Sequence, residues 1–589
     1  YTDIFLPSDG ELQPNYPKVT IGVSHSMKKL KKIGTILLAL AMSAACLSAF
    51  IGCSNKENDP GTIYVKMYNG GFGTSWLSKA AEEYKALTGT SVSIKTYKNE
   101  GMSPANLKSD NSELFFLQDA HYYTYVEAGV LADISEAIRG KNPYESGKTV
   151  ESKLNADQQD FLQYNGSYYG LTHYIGNWGI VYDVELFENN GYYFKQGQDQ
   201  NETYTGLSER EVRAKFVSSA SDAKGYGPDG KTGTIDGVDY SLDDGLPATY
   251  ADFWILCQRI INTNNIPIIW SGLQRGTYVT SLMTSLISDY LGKDGMLKTF
   301  NFKEGETIGE LANFDDEGNI LNWNGSATFD GTNGYEIYRQ KAYYEGLSFM
   351  KELMDNHEKY GNGYGTSDNF VYTDAQDQFI RSVTADQKIA MIVEGQWWEN
   401  EASATFAAMA NVDEKYSRAN RRFGWMTLPK ANKEKVAEGN KPTLLNTMDA
   451  ICAVRASVGE EKLAKIIDFI QFLNTDDQLV KFTQETSAMR GLNYSLTDEE
   501  MAGLSNFSQS VVRYTQNADV LYTESNATEY RYNLYDTNSY DRYPYNYGGT
   551  SALRPTLLFG TNAGLSVSAA QYLYRLYTNK KAIWVTAEG

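Results

Sequence analysis

Apolar and polar residues alternate in the stretch TIYVKMY (62–68), and this period of two predicts a β-strand. After the break GGFG, the stretch WLSKAAEEYKALTG (76–89) repeats its apolar residues at helical spacing. It ends in Gly89, which predicts a helix with a glycine stop. SVSIKTY and ELFFL (113–117) are predicted as further strands, and a helix to Gly129 follows the second. Strands that alternate with helices predict a parallel sheet covered by helices, the α/β class.

The middle of the chain changes character twice. The Tyr-rich block 161–192 contains an Asn-Gly dipeptide, a hairpin turn signal, between two predicted strands. Residues 193–247 are polar and Gly-rich, and we interpret them as an insertion loop. Helical periodicity returns at TYADFWILCQRIINTNN (249–265), and IPIIW (266–270) is predicted as the strand that follows.

Further strands are predicted at KIAMIVEG (388–395), at FGWMTLP and at DAICAV (449–454). The stretch GEEKLAKIIDFIQFLNT (459–475) places its leucines and isoleucines on one face and predicts a helix. The Tyr-rich tail 505–589 shows no clear period, and no internal repeat is found.

Length and charge limit the classes of function. A chain of 589 residues exceeds a single hydrophobic core, so at least two domains are expected. The formal net charge is −20, and no run of Lys or Arg occurs outside residues 28–32, which argues against nucleic acid as a partner. Tyr outnumbers Phe by 44 to 24, a bias that suits half-wet surfaces needing both an apolar ring and a hydroxyl.

The N-terminal region has the composition of an export signal. MKKLKK (27–32) is followed by the apolar run 33–50 and then by Ile-Gly-Cys, ending at Cys53. The segment 27–52 is therefore predicted as a lipoprotein signal peptide, because the junction resembles a bacterial lipobox with Cys53 as the lipid anchor. An uncleaved membrane helix is the alternative. Residues 1–26 lack signal features and are expected to be spurious upstream sequence.

Cysteine and histidine offer little chemistry. Cys257 and Cys452 lie in apolar runs and are predicted to be buried thiols rather than a disulfide. The histidines show no metal-ligand spacing. The loop DGKTGTIDGVD (229–239) spaces acidic residues and glycines in a way that would suit calcium, but it lacks the EF-hand pattern, so a solvated acidic loop is the favoured interpretation. No other cofactor is expected.

Several stretches, taken in order, resemble the extracellular solute-binding proteins of ABC sugar importers (family 1, which includes maltose-binding protein). They are YKALTGTSVSI, ELFFLQDAHYYTYVEAGVLADI, YNGSYYGLTHYIGNWGIVYDVELFENNGY, LPATYADFWILCQRI, KIAMIVEGQWWEN, FGWMTLPKA, LAKIIDFIQFLNTDDQLVKF and TSAMRGLNY. They cover most of 60–500. None is specific alone, and their ordered combination carries the resemblance.

The resemblance implies a two-lobed α/β fold of the periplasmic-binding-protein type, with hinge segments and a ligand cleft between the lobes. Chain crossings would fall near 174–178, 445–450 and 510. Lobe one would comprise 60–174 plus 450–510, and lobe two 178–445 plus 511–580, with 193–247 as an insertion at the cleft rim.

Ten residues are predicted to bind ligand, partly from their place after strands and partly from the resemblance. For Trp76, packing onto its own helix is an equal alternative; for Asp119, a helix N-cap; for Trp270, burial in the core. The full set is Trp76, Asp119, His121, Tyr122, Asn177, Trp178, Trp270, Glu394, Gln396 and Trp397.

The adjacent tryptophans Trp397 and Trp398 cannot serve one surface, because neighbouring residues point in different directions. In the family's maltose-binding member the corresponding stretch also ends Gly-x-Trp, and that Trp stacks on sugar. The resemblance therefore implies Trp397 as a sugar platform flanked by Glu394 and Gln396, and Trp398 as core.

The function that the resemblance implies is capture of an oligosaccharide by cleft closure and delivery to the membrane permease subunits of an ABC importer. The protein would be a monomeric non-enzyme, lipid-anchored on the outer face of a bacterial, Gram-positive cytoplasmic membrane. A surface-anchored glycoside hydrolase, which needs two suitably spaced carboxylates, is one alternative. A tethered protein that binds a non-sugar solute or another partner is the other.

Overall fold

The computed structural model describes residues 59–98, 101–118, 122–219, 221–236, 238–446, 451–522, 525, 527–534, 556, 559–560 and 567–586. Cys53, Asp119, His121 and the signal-like segment lie outside these ranges, so what the sequence predicts for them stays a prediction. Everything below belongs to the unit that spans Pro60–Gly589. Among the described helices, none is both long enough and apolar enough to cross a membrane.

The strands follow one another along the chain as β1 (Thr62–Tyr68), β2 (Ser91–Tyr97), β3 (Leu114–Leu117), β4 (Gln163–Tyr164), β5 (Ser167–Tyr168), β6 (Gly170–Thr172), β7 (Trp178–Asp183), β8 (Thr234–Ile235), β9 (Val238–Asp239), β10 (Ile266–Ile269), β11 (Thr307–Phe314), β12 (Ile320–Thr328), β13 (Ile389–Gly395), β14 (Phe423–Trp425), β15 (Thr443–Asn446), β16 (Ile451–Val454) and β17 (Asp519–Tyr522).

The α-helices between and after them are Ser75–Thr88, Pro104–Ser109, Tyr122–Glu127, Ser135–Arg139, Ala156–Leu162, Val184–Asn190, Glu209–Ala214, Tyr250–Ile261, Arg275–Asn301, Lys341–Asp355, His357–Gly361, Tyr372–Arg381, Trp398–Glu401, Ser403–Ala410, Lys433–Ala437, Glu460–Leu473, Asp476–Thr486, Asp498–Ala502, Asn506–Asn517, Thr528–Asn533 and Ala569–Ile583.

The first sheet has the strand order β2-β1-β3-β16-β6. β1 runs parallel to both β2 and β3, whereas β16 runs antiparallel to β3 and β6. The alternation read from the sequence holds for β1, whose Ile63, Val65 and Met67 are all buried. The helix Ser75–Thr88 buries Leu77, Ala80 and Tyr84 but leaves Leu87 exposed. It ends at Gly89, which adopts the left-handed conformation (φ 78°) that the glycine stop predicts.

The second sheet has the strand order β10-β13-β7-β14. β13 is parallel to β10 and antiparallel to β7, and every one of its residues is buried, as expected for a central strand covered on both faces. The long helix Arg275–Asn301 packs beside this sheet and is broken at Gly292, where φ 68° and ψ 175° interrupt the helical path. We refer to the first sheet with its helices as lobe one and to the second as lobe two.

The chain passes between the sheets more than once. It leaves the first sheet at Thr172 and enters the second at Trp178, and it returns between Asn446 and Ile451. Beside these passages, β15 and β17 form a parallel pair of their own. Two α/β sheets joined by crossing segments confirm the predicted fold class. The residue limits of the lobes stay a prediction.

The insertion 193–247 differs from the plain loop that its polarity suggests. It contains the helix Glu209–Ala214 and the small hairpin β8–β9. Phe194 and Phe216, both within the insertion, are buried against each other, with ring centroids 4.5 Å apart. Tyr193 packs against Phe187 at 5.6 Å, so aromatic contacts also hold the insertion against lobe two. The hairpin β11–β12 is not apparent from the sequence, because only weak alternation marks it. Cys257 and Cys452 are free and buried, as predicted.

Candidate functional site

The two lobes meet where strands of each sheet end. The loop after β1 carries Gly71 and Phe72, and the turn after β13 carries Gln396 and Trp397. These segments touch, because a β-carbon built on Gly71 would lie 2.3 Å from Cδ1 of Trp397. Carboxyl ends of strands are where α/β sheets bind ligands, so this junction is the candidate site.

Five aromatic rings form a continuous cluster at the junction. Phe72 lies 4.5 Å from Tyr174 and 5.9 Å from Trp397, measured between ring centroids. Trp397 meets Trp178 edge to face at 4.7 Å, and Trp178 meets Tyr278 at 4.6 Å. Two of these rings come from lobe one and three from lobe two. We call Phe72, Tyr174, Trp178, Tyr278 and Trp397 the interlobe aromatic cluster.

Two buried amides beside the cluster have hydrogen-bonding capacity to spare. Gln396 donates its backbone N–H to the carbonyl of Asn177 (3.2 Å), and Asn177 Nδ2 donates to Gln396 Oε1 (3.4 Å). Within the described part of the chain, Asn177 Oδ1 and Gln396 Nε2 are buried with no partner. The acceptor Asn177 Oδ1 and the donor Gln396 Nε2 therefore remain without a hydrogen bond between the lobes. Leaving them unpaired costs folding free energy, and a polar ligand that bonds to them would remove that cost.

Glu394 lies at the end of β13 and is fully buried. Its Oε1 accepts from Gln376 Nε2 (2.9 Å), and the same nitrogen donates to Glu401 Oε2 (2.9 Å). Burial, followed by the negative charge of Glu401, raises the pKa of Glu394 well above its ordinary value, although hydrogen bonds from Gln376, Gly395 and Tyr278 oppose the shift. The surroundings of Glu394, next to the aromatic cluster, therefore favour its neutral carboxylic acid form.

Hydrogen bonds also join the lobes. Asn400 Nδ2 donates to the carbonyl of Phe72 (2.7 Å), so the short helix after Trp397 is tied to the loop after β1. Arg418 pairs with the buried Glu399 (3.0 Å) and donates to Ser487 Oγ (2.8 Å), on the lobe-one side. The lobes are thus closed on each other.

The structure brings together only some of the residues predicted from the sequence. Asn177, Trp178, Glu394, Gln396 and Trp397 meet at the junction. Trp397 is 5% exposed, so its ring is an internal contact in this closed arrangement rather than an open platform.

The remaining described candidates lie inside the lobes. Trp76 packs against Phe116 and Phe482 in the core of lobe one. The hydroxyl of Tyr122 donates to the carbonyl of Leu162 (2.7 Å) in lobe one, and the indole N–H of Trp270 donates to the carbonyl of Gly365 (3.0 Å) in lobe two. For Trp270 this agrees with the core alternative that the sequence left open. Trp76 packs against β3 and the helix Asp476–Thr486 rather than onto its own helix.

Trp398 turns away from its neighbour, as the sequence predicts. It is fully buried and packs against Phe379, Phe406, Phe423 and Phe507 in lobe two.

Sequence reasoning missed several residues of the junction. Phe72 sits in the GGFG break directly after β1, a position that signals a strand end and would have identified it. Tyr174 lies in the first crossing. Tyr278 and Gln376 come from helices with no local signal, because only the tertiary fold brings them to β13.

The acidic loop 229–239 uses its carboxylates on its own backbone. Asp229 Oδ1 accepts from the N–H of Lys231 (2.8 Å), and Asp239 Oδ1 from that of Ser241 (2.9 Å). In the residues that the structure describes, no group of three or more His, Cys, Asp or Glu side chains is arranged to hold a metal ion. Calcium binding at this loop stays a prediction.

No family model and no curated protein sequence matches the chain. Among solved structures it is similar to one described as "SBP RafE in complex with raffinose", at 12% identity and a TM-score of 0.49, covering 89% of this chain and 100% of that one. It is also similar to a "Chitin oligosaccharide binding protein", at 12% identity and a TM-score of 0.49, covering 86% and 94% respectively. At this level of similarity the two structures carry no argument about the function of this protein.

Proposed function

We propose that this protein is a carbohydrate-binding solute-binding protein that captures an oligosaccharide between its lobes. The proposal rests on the interlobe aromatic cluster and on the two buried atoms beside it that have no hydrogen-bond partner, Asn177 Oδ1 and Gln396 Nε2. A sugar presents apolar C–H faces and a rim of hydroxyls, so it needs flat aromatic rings next to amides and carboxyls. The junction supplies all three kinds of group, the carboxyl being Glu394.

Capture requires the lobes to separate. Trp397 contacts Gly71 directly, so a sugar can stack on this indole only when the loop after β1 moves away. Hinged lobes that close around a solute are a known mode of domain motion. A ligand hydroxyl that pairs with Asn177 Oδ1 or Gln396 Nε2 removes a buried unpaired group, each of which costs about 1–3 kcal/mol. The closed arrangement with a sugar that pairs these atoms would therefore be more stable than the closed arrangement with a sugar that leaves them unpaired.

We further propose that the protein acts outside the cytoplasmic membrane as a lipid-anchored monomer and passes its sugar to the permease subunits of an ABC importer. The support is the signal-like segment 27–52 with Cys53 at its end, together with the ordered sequence resemblance. We also propose a bacterial, Gram-positive origin, which the lipobox-like junction and the sequence resemblance support.

The glycoside hydrolase alternative would use Glu394 and Glu401. Retaining enzymes place two carboxyl groups about 5–5.5 Å apart on either side of the bond they cleave. Here both side chains turn to one amide nitrogen of Gln376, and Glu394 has no exposed surface. This arrangement favours structural pairing over attack on a substrate, so we expect binding without turnover.

The test uses the full chain with a panel of neutral oligosaccharides that includes raffinose and chito-oligosaccharides. Thermal shift reports binding, because a ligand raises stability in proportion to RT ln(1 + [L]/Kd), and released reducing ends report hydrolysis. A shift without turnover supports the proposal. Turnover would establish the hydrolase, and no response across the panel would reject sugar binding in favour of a non-sugar solute.

Trp397→Ala should remove the thermal shift. Trp323→Ala, the same change on the hairpin β11–β12 away from the junction, is the matched control and should leave the shift intact.

A further inference from the structure

The insertion 193–247 forms one side of a cavity on lobe two. The cavity has a volume of about 830 Å³ and lies between this insertion and the helices Val184–Asn190 and Tyr250–Ile261. None of its lining residues belongs to the interlobe aromatic cluster. A cavity of this size falls in the range of small-molecule sites, about 300–1,000 Å³.

Three cationic side chains line the cavity, and in the described part of the chain none of them forms an ion pair. They are Arg213, Lys224 and Arg259. Arg259 donates from NH2 to the carbonyl of Asn190 (2.8 Å), but its Nε–H is buried with no partner. Lys224 Nζ lies 3.6 Å from the ring centroid of Tyr193. Arg259 is half-buried, whereas Arg213 and Lys224 are exposed.

The electrostatics agree with this geometry. Burial lowers the pKa of Lys224, although the negative charges of Glu188 and Asp244 oppose the shift. Burial also lowers the pKa of Arg259, and the positive charge of Arg213 lowers it further, whereas Tyr192 and Glu209 oppose the shift. Like charges close together repel each other, and an anion bound between them relieves this repulsion.

The carboxylates of the cavity offset these cations only in part, because none of them forms an ion pair with Arg213, Lys224 or Arg259 in the described part of the chain. Glu188 forms an ion pair with Arg422, which is not one of the three cations that line the cavity. Asp222 accepts the N–H groups of Ser218 and Ser219, bonds that lower its pKa to about 2. Glu209 precedes Arg213 by one helical turn, yet the two are not within ion-pair distance in the structure. The cations therefore have N–H donors that no carboxylate of the cavity uses. The ring of Tyr193 forms an apolar side of the cavity.

We propose that this cavity binds a small solute that carries a carboxylate or phosphate group. Guanidinium groups match the planar and tetrahedral oxyanions through paired N–H bonds, and an ammonium supplies a further donor. The site would give the insertion a role of its own, independent of the junction between the lobes.

The experiment measures binding to the full chain by titration calorimetry with three probes: inorganic phosphate, galacturonate and neutral galactose. Phosphate or galacturonate should bind, and galactose should not. Tighter binding of phosphate would indicate a phosphate-bearing solute, and tighter binding of galacturonate a carboxylate-bearing one. Absence of binding by both anions, or equal binding of galactose and galacturonate, would overturn the proposal.

Arg213→Glu should weaken anion binding by about tenfold or more. Arg210→Glu is the matched control, since Arg210 is exposed on the same helix but does not line the cavity. Equal losses in the two variants would mean that only overall charge matters, and the site would be rejected. Should Arg213→Glu fail to fold, Arg213→Gln replaces it.

Glu209→Gln removes the remaining nearby carboxylate and should tighten anion binding. Trp397→Ala should leave it unchanged, so failure of sugar binding at the junction and failure of this site are distinguishable.

Discussion

Gly71 of lobe one and Trp397 of lobe two touch so closely that a β-carbon on the glycine would lie 2.3 Å from the indole Cδ1. Real β-carbons do not come this close to another heavy atom, so the closed arrangement needs glycine at this position. The contact also links the loop after β1 to the end of β13, the two segments between which we place the ligand.

Gly71→Ala should therefore keep the lobes from closing fully. We expect a cost of about 1–3 kcal/mol to the closed arrangement, the usual range for forcing extra volume into a packed contact. Small-angle scattering should show a larger radius of gyration, and thermal unfolding a lower Tm.

The double variant Gly71→Ala/Trp397→Ala should recover closure, because the indole that clashes is gone. Gly101→Ala is the control, since a β-carbon there meets nothing within 4 Å. Additive effects of the two changes would show that the contact does not limit closure.

The adjacent tryptophans should differ in their effects on folding and on binding. Trp398→Ala empties a fully buried site among four phenylalanines and should cost about 3–5 kcal/mol of unfolding free energy. Trp397→Ala removes a ring at the lobe junction and should abolish sugar binding at a smaller cost. That smaller cost is not negligible, because Trp397 is also buried when the lobes are closed.

Chemical denaturation and calorimetric titration with the best sugar of the panel separate the two effects. A Trp398→Ala protein that is stable but cannot bind, beside an unfolded Trp397→Ala protein, would mean that the roles are reversed.

The sequence predicts the local elements of this fold well and the site only in part. Strong periods identify β1 and the helix Glu460–Leu473, because burial of one face dictates the residue at each position. β13 is identified instead by its continuous apolar run, which is buried on both faces. The hairpin β11–β12 is half exposed, and its Asn-rich strand ILNWNGSAT has no such constraint.

Trp397, which follows β13, and Trp178, which begins β7 at the first crossing, could be found from position. Tyr278 could not, since it sits on a helix and reaches the site only through the packing of Arg275–Asn301 beside the second sheet. Conversely, Trp76 and Trp270 occupy positions at strand ends but turn inward, because large apolar rings gain more free energy from the core than from a wet cleft.

Asn400 should control how firmly the lobes hold together. Its side chain donates to the carbonyl of Phe72 across the junction, so Asn400→Ala should weaken closure by about 1 kcal/mol, the usual net value of one hydrogen bond. Scattering without sugar should show a shift toward more open molecules.

Asn420→Ala is the matched control for this effect. Asn420 also donates to a backbone carbonyl, that of Glu414, but within lobe two. A change in the radius of gyration in the control as large as in Asn400→Ala would contradict the assignment.

Glu394 should make stability depend on pH. Its pKa is raised in the folded protein, so the folded state holds this proton at pH values where the unfolded chain, with a pKa of about 4.3, has lost it. Stability from this group is complete below about pH 4.3 and declines as pH rises toward the folded pKa. Each tenfold difference in proton affinity between the folded and unfolded states corresponds to about 1.4 kcal/mol of unfolding free energy.

Glu394→Gln removes this dependence, so the unfolding free energy of the variant minus that of the parent should increase between about pH 4.3 and 8. The trend with pH is the readout, because the amide also gives up the bond that Glu394 Oε2 accepts from the N–H of Gly395. Glu401 shares Gln376 with Glu394, so the difference reports the titration of the pair. Glu82→Gln, at an exposed helical glutamate, should show no such trend. A flat difference for Glu394→Gln would mean that Glu394 is ionised in the folded protein and that a cation or water reaches the end of β13.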